Sequence, residues 1–227
     1  MNAMLSSLTV IGIDVGGARK GLHAVALRDG KYHAQMASRD AEALVAWCVE
    51  KMAARWIAVD APCRWRPGHE TRAAERELNR QGIRCFFTPT RAKAVAHPKN
   101  YYGWMLQGEA VFAALERTHP LATPTTLASS PGCFETYPHA ITWHLRGGSA
   151  EVKEKSAQRL ALLQQGGVSC EELRDQDLID AALCAIVAHQ ALNAKPMHHY
   201  GDFKSGLIWV PERVRITETP YPSHSRR

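Results

Sequence analysis

The first regular pattern in the chain is Thr9–Val15 (TVIGIDV), a β-branched apolar run that carries Asp14 and leads into Gly16-Gly17. Unbroken apolarity of this length predicts a strand buried at the centre of a sheet. Leu22–Arg28 (LHAVALR) and Lys31–Met36 (KYHAQM) read as two more strands. Asp29-Gly30 between them is a strong hairpin signal, because a type I′ turn needs positive φ at both central positions. Three antiparallel strands therefore open the protein. Ser38 or Asp40 suits the cap of a helix over Ala41–Ala54, whose Leu44, Val45, Cys48, Val49 and Met52 share one face. Trp56–Asp60 (WIAVD) is a second apolar strand ending in aspartate, with Pro62 preventing its continuation. Coming after a helix, it lies most simply parallel to the first strand through a right-handed crossover.

Beyond this point the pattern turns helical. Glu70–Gln81 reads as a charged helix closed by Gly82, and Ile83–Thr88 as a short strand or extended segment stopped by Pro89. Thr90–Gly103 is loop-rich, Leu106–Arg117 is a helix with Val111, Phe112 and Leu115 inward, and His119–Gly132 is a connector. Gly132–Tyr137 reads as a third strand with an acidic residue near its end, and Pro138 suits the first turn of a helix over His139–Leu145. Lys153–Gln165 is an amphipathic helix ended by Gly166-Gly167. A last helix begins at Asp175 or Asp177 and runs to about Leu192, with Ile179, Ala182, Leu183, Ile186 and Val187 as its apolar stripe. Gly206–Pro211 (GLIWVP) closes the regular pattern, and residues 212–227 read as a poorly ordered tail.

Composition narrows the class. At 227 residues and 45% hydrophobic, the chain suits one globular domain with a substantial core. No apolar run approaches a membrane span, and MNAMLSSLTV lacks the basic and apolar regions of a secretory signal. The six cysteines form no CxxC pair and sit mostly in apolar surroundings, as reduced thiols of a cytoplasmic protein do. The histidines are scattered, and the adjacent pair His198-His199 reads as a loop.

Charge is uneven. The net charge is +6, and nine basic residues between Arg64 and Lys99, among them Arg72, Arg76, Arg80 and Arg91, face only Glu70, Glu75 and Glu77. Phe86, Phe87, Tyr101, Tyr102 and Trp104 lie among or just after them. Such a stretch suits either a solvated helix face over a small aromatic cluster or a surface that tracks a nucleic-acid backbone and stacks on bases.

The carboxylates are the candidate chemistry. Asp14 is either a turn aspartate bonded to its own loop or a ligand, since an unpaired buried carboxylate is costly. If the first and fourth strands are parallel, Asp14 and Asp60 emerge at one sheet edge and repel each other unless a cation sits between them. Asp175 or Asp177 has an alternative role as helix cap, whereas Asp180 is past the cap positions and beside core residues, so it needs a partner. Glu135 lies near the end of the third such strand, as a site residue or as an ordinary outward side chain.

Strand order and carboxylate placement together resemble the ribonuclease H-like fold, an α/β mixed sheet of three antiparallel strands then parallel strands, flanked by helices. More closely, the chain resembles the family of predicted ribonuclease H-like nucleases called domain of unknown function 429. The matching segments are GIDVGGARKG (Gly12–Gly21), VDAP (Val59–Pro62), RELNRQGI (Arg76–Ile83), FETYPHA (Phe134–Ala140) and DLIDAALCA (Asp177–Ala185). Where many members carry Trp after the first loop and Gly after the Asp-x-Pro, this chain has Leu22-His23 and Cys63-Arg64. The resemblance implies one ribonuclease H-like domain over residues 1–211, with a loop-rich insertion around 84–131. It also implies a nuclease dependent on Mg²⁺ or Mn²⁺, with Asp14 bridging two metals about 4 Å apart. Asp60 and Asp180 would bind one metal each, Asp177 or Glu135 would complete the ligands, and Lys20, Arg64, Arg76 and Arg80 would contact the substrate. The implied partner is DNA or RNA, no membrane is involved, and the oligomeric state stays open, a homodimer included. Two other classes fit parts of the pattern: a non-catalytic nucleic-acid or protein-binding scaffold, and an actin-like or sugar-kinase-type ATP-binding protein.

Overall fold

The computed structural model describes residues 7–127 and 131–214. Of the expected C-terminal tail, residues 215–227 lie outside the described residues. One seven-stranded mixed sheet organises the chain. Its strands are β1 (Thr9–Val15), β2 (Leu22–Arg28), β3 (Lys31–Ser38), β4 (Trp56–Asp60), β5 (Gly132–Glu135), β6 (Met197–Asp202) and β7 (Gly206–Pro211), in the order β3-β2-β1-β4-β5-β7-β6. The first three are antiparallel, β4 is parallel to β1 and β5 parallel to β4, which is the ribonuclease H-like arrangement expected from the order of elements. β7 continues parallel to β5, and β6 pairs antiparallel with β7 at the far edge.

Side-chain alternation along β1 divides the core in two. Ile11, Ile13 and Val15 pack with Ile57 and Val59 of β4 against two helices, α1 (Ala41–Ala46) and α4 (Gly103–Leu115). Val10 and Ala58 face the opposite side, where the long helix α7 (Gln176–Leu192) lies across the sheet. Gly12 shares that second face. A Cβ placed on it would stand 2.0 Å from the Ala181 carbonyl oxygen and 2.3 Å from the Ala185 nitrogen. Glycine is therefore the residue that lets α7 seat directly on β1.

The remaining helices are α2 (Ala73–Arg80), α3 (Arg91–Val95), α5 (Pro138–Leu145) and α6 (Lys155–Gln165). Asp29 and Gly30 both have positive φ, 50° and 79°, as a type I′ hairpin requires. The expected helix over 41–54 is α only to Ala46; it widens into a π-helical turn at Trp47–Lys51, in which Met52 N donates to Trp47 O. Ile83–Thr88 is extended without joining the sheet, because its polar groups are used elsewhere: Thr88 N donates to Glu75 Oε1 and Arg84 O accepts from the Tyr137 hydroxyl. Within the loop-rich stretch α3 forms, capped by the Thr90 hydroxyl, which accepts from Lys93 N. His198-His199 is a strand and not a loop: it lies in β6, hydrogen-bonded along β7. No helix among the described residues is long and apolar enough to cross a membrane.

Gly12→Ala is expected to destabilise the protein by about 3 kcal/mol or more, since backbone of α7 and not a flexible side chain must yield; urea denaturation measures this.

Candidate metal centre

β1 and β4 end together. Their parallel register sets Asp14 directly beside Asp60, on the face that carries Gly12 and α7. Helix α7 then brings Asp177 and Asp180 to the same place. Its start is set by Asp175, whose carboxylate accepts from Leu178 N, so Asp175 is the cap and Asp177 and Asp180 lie inside the helix. Four carboxylates from three elements thus share one region.

They are not equally satisfied. Asp177 accepts two hydrogen bonds from Lys20 Nζ, at 2.8 and 3.0 Å, in an ion pair whose lysine is 61% exposed. Asp180 is buried, and its Oδ1 takes both the guanidinium of buried Arg159, on α6, and Gln176 Nε2 at 2.6 Å. Asp14 is only 9% exposed, yet among the described residues neither its carboxylate nor that of Asp60 has a hydrogen-bond or ion-pair partner.

Electrostatics follow from that imbalance. Burial, then the Asp180 and Asp177 carboxylates, push the Asp14 pKa up to about 8, against the opposing charges of Lys20 and Arg159. Burial and the neighbouring Asp14 and Asp180 raise Asp60 well above the usual carboxylate range. Burial also raises Asp180, although Arg159 and Gln176 work against it. Carboxylates crowded together in this way are short of positive charge, and hard divalent cations take this kind of oxygen set. The donor chemistry fits such an ion. One ligand atom each from Asp14, His23 and Asp177 already lies within 4.8 Å of the others.

Glu135 stands apart. β5 pairs Val59 with Glu135, so Glu135 leaves its strand on the face of Val59, but its carboxylate reaches the cleft that Asp60 also lines and adds to the charge that raises Asp60. Its two oxygens accept from Arg72, Nη1 to Oε1 at 2.9 Å and Nη2 to Oε2 at 2.5 Å, and Oε2 also accepts from Cys63 N at 2.8 Å. Arg72 is 1% exposed and further donates to Ser205 O and Thr88 Oγ1. This closed network lines one side of a cleft beside Asp60, whose other walls include Phe86, Trp104 and Tyr137. Phe86 is 66% exposed and makes an edge contact with Trp104, their rings 6.4 Å apart.

The expected basic contacts scatter. Lys20 is at the carboxylates. Arg64 pairs with Glu116 at 3.3 Å, while Arg76 bonds the Thr71 carbonyl and, like Arg80, rides on α2, which packs on β6 and β7. No hydrogen bond or ion pair among the described residues links these three arginines to the aspartates. Sequence reasoning passed over Arg72, Arg159 and His23. Nothing in their local spacing marks the two arginines. His23 had a countable signal, since it lies as many residues into β2 as the hairpin needs to face Asp14.

The sequence model of the family described as "Protein of unknown function (DUF429)" matches residues 12–204. Among solved structures, the chain is similar to one titled "Thermus thermophilus RuvC structure". The two share 17% sequence identity with a TM-score of 0.45, over 82% of this chain and 97% of that one. No curated protein matches the chain.

Two stability predictions separate the carboxylates. Unfolded Asp14 ionises near 3.8, whereas folded Asp14 keeps its proton to about 8. Between those values the native state binds more protons, so stability falls as pH rises. In EDTA, Asp14→Asn is expected to be more stable than the parent by several kcal/mol at pH 8.5 and nearly equal to it near pH 4, by denaturant titration at both. Glu135→Gln is expected to lose about 3 kcal/mol, because it strips the counter-charge from buried Arg72, while Mn²⁺ binding by equilibrium dialysis is unchanged.

Proposed function

The chain belongs to the DUF429 family, and we propose that it is a metal-dependent nuclease that hydrolyses phosphodiester bonds at the Asp14 site. The observation that carries this reading is Asp14 itself: nine-tenths buried, without a protein partner, and flanked by Asp60, Asp177 and Asp180. A fold that only needed the strand end would do better with an apolar residue there.

In this reading Asp14, Asp60 and Asp180 hold Mg²⁺ or Mn²⁺, and Asp177 completes the set. Glu135 is left to Arg72, which already occupies both its oxygens. Bound there, divalent metal supplies an activated water and neutralises charge on the leaving oxygen. The protein's part is to position. Arg159 and Gln176 grip Oδ1 of Asp180 and fix that carboxylate's orientation. Lys20, mostly exposed at the rim, offers its ammonium to a phosphate oxygen, and the cleft beside Asp60 offers Phe86 and Trp104 to a base. Arg64, Arg76 and Arg80 lie farther out and serve as contacts to a nucleic-acid backbone, with affinity falling as salt rises.

The scaffold reading draws on one observation: Lys20 and Arg159 already neutralise Asp177 and Asp180. The two are separated by incubating purified protein with Mn²⁺ or Mg²⁺ and branched, single-stranded or hybrid substrates, in DNA and RNA. The nuclease reading expects cleavage that EDTA abolishes and that Asp14→Asn lowers by about 100-fold or more, the upper end of what even an outer-shell partner is worth. The scaffold reading expects no cleavage, and nucleic-acid retention indifferent to EDTA and to Asp180→Asn.

A further inference from the structure

His23 has no part in the chemistry above, yet it stands at its centre. It faces Asp14 directly in the antiparallel register of β1 and β2, so both side chains leave the same face of the sheet. A ring nitrogen of His23, an oxygen of Asp14 and an oxygen of Asp177 all lie within 4.8 Å of one another. The His23 Nδ1 is buried and has no hydrogen-bond partner among the described residues, although buried polar groups nearly always find one. The Asp14 carboxylate, 9% exposed, is in the same condition. A buried imidazole nitrogen and a buried carboxyl group on one sheet face, neither with a protein partner and with a second carboxylate in reach, describe a cation site.

We propose that His23 is a metal ligand, and that the Asp14–His23–Asp177 set selects a first-row transition ion such as Mn²⁺ over Mg²⁺. The proposal rests on the reading of the aspartates as metal ligands and adds a nitrogen to it. Mg²⁺ takes oxygen donors in a strict octahedron and keeps its waters, so an imidazole gains it little. Transition ions bind imidazole nitrogen well, in the order Mn²⁺, Fe²⁺, Co²⁺, Ni²⁺, Cu²⁺, and discriminate by donor type. One histidine among carboxylates is enough to tilt the choice.

The test is pulsed EPR on full-length protein stripped with EDTA and reloaded with Mn²⁺. Direct coordination by imidazole gives a ¹⁴N modulation, which is expected in the parent and absent in His23→Ala. Equilibrium dialysis is expected to show Mn²⁺ affinity falling about 10-fold or more in that variant, with Mg²⁺ affinity, read by competition, changed much less. Should His23→Ala fail to fold, parent protein grown with ¹⁵N-histidine must lose the ¹⁴N modulation. Mn²⁺ that binds, is lost in Asp14→Asn and shows no histidine nitrogen overturns the role of His23 and leaves the carboxylate reading standing. A modulation that persists in a folded His23→Ala overturns it equally. Failure to bind Mn²⁺ at all overturns both.

Discussion

The seat of α7 on β1 is the constraint from which the rest follows. Helix and strand touch backbone to backbone at Gly12, and that contact fixes how far along the helix each residue falls relative to the strand end. Asp180 lies one residue before Ala181, whose carbonyl would meet a Gly12 Cβ, so the helix cannot slide without carrying its carboxylates away from Asp14. Strand pairing fixes the other coordinate by placing Asp60 level with Asp14. Neither constraint involves the acidic side chains. The repulsive cluster is imposed by apolar packing strong enough to tolerate it, with burial holding Asp14 protonated toward pH 8.

Two systems of charge meet at the end of the sheet. On the α7 face, the aspartates outnumber the cations that reach them. Beside Asp60, Glu135 and Arg72 form a closed pair, joined by Thr88 and Glu75 and anchored to Ser205 near the β6–β7 turn. A buried pair of this kind adds little net stability but is costly to break, and its value here is to tie α2, β5 and the last hairpin together at one point. One cleft thus holds a satisfied carboxylate, Glu135, beside an unsatisfied one, Asp60.

That difference in partners marks where sequence reading stops. Apolar runs and turn residues located β1, β2, β3, β4, β5 and β7, and the parallel crossover was enough to bring Asp14 and Asp60 to one edge. The stripe on α7 put Asp180 beside the core. The face taken by Glu135 depends on the β4–β5 register, which a 71-residue intervening stretch (61–131) does not encode locally. Arg72 and Arg159 find their carboxylates across 63 and 21 residues, with no pattern to connect them. β6 was hidden because an edge strand reading MHHYGD needs few apolar residues once β7 supplies its hydrogen bonds. His23 was within reach of counting, but a lone histidine in an apolar strand has no distinguishing mark until its neighbour across the hairpin is known.

The turn that joins β1 to β2 acts as a ruler. Gly16 N donates to Gly21 O, Gly21 N to Gly17 O, and Gly21 takes φ of 83°, so the six residues Gly16–Gly21 close in one geometry. Their number decides which residue of β2 stands opposite Asp14. One residue fewer or more would turn His23 to the α1 and α4 side and present Leu22 or Ala24 to Asp14 instead. Loop length in a segment that never touches an ion would then exchange a nitrogen donor for a hydrocarbon. Among proteins built on this sheet, donor type at the strand end can therefore diverge by a single insertion, with every aspartate still in place.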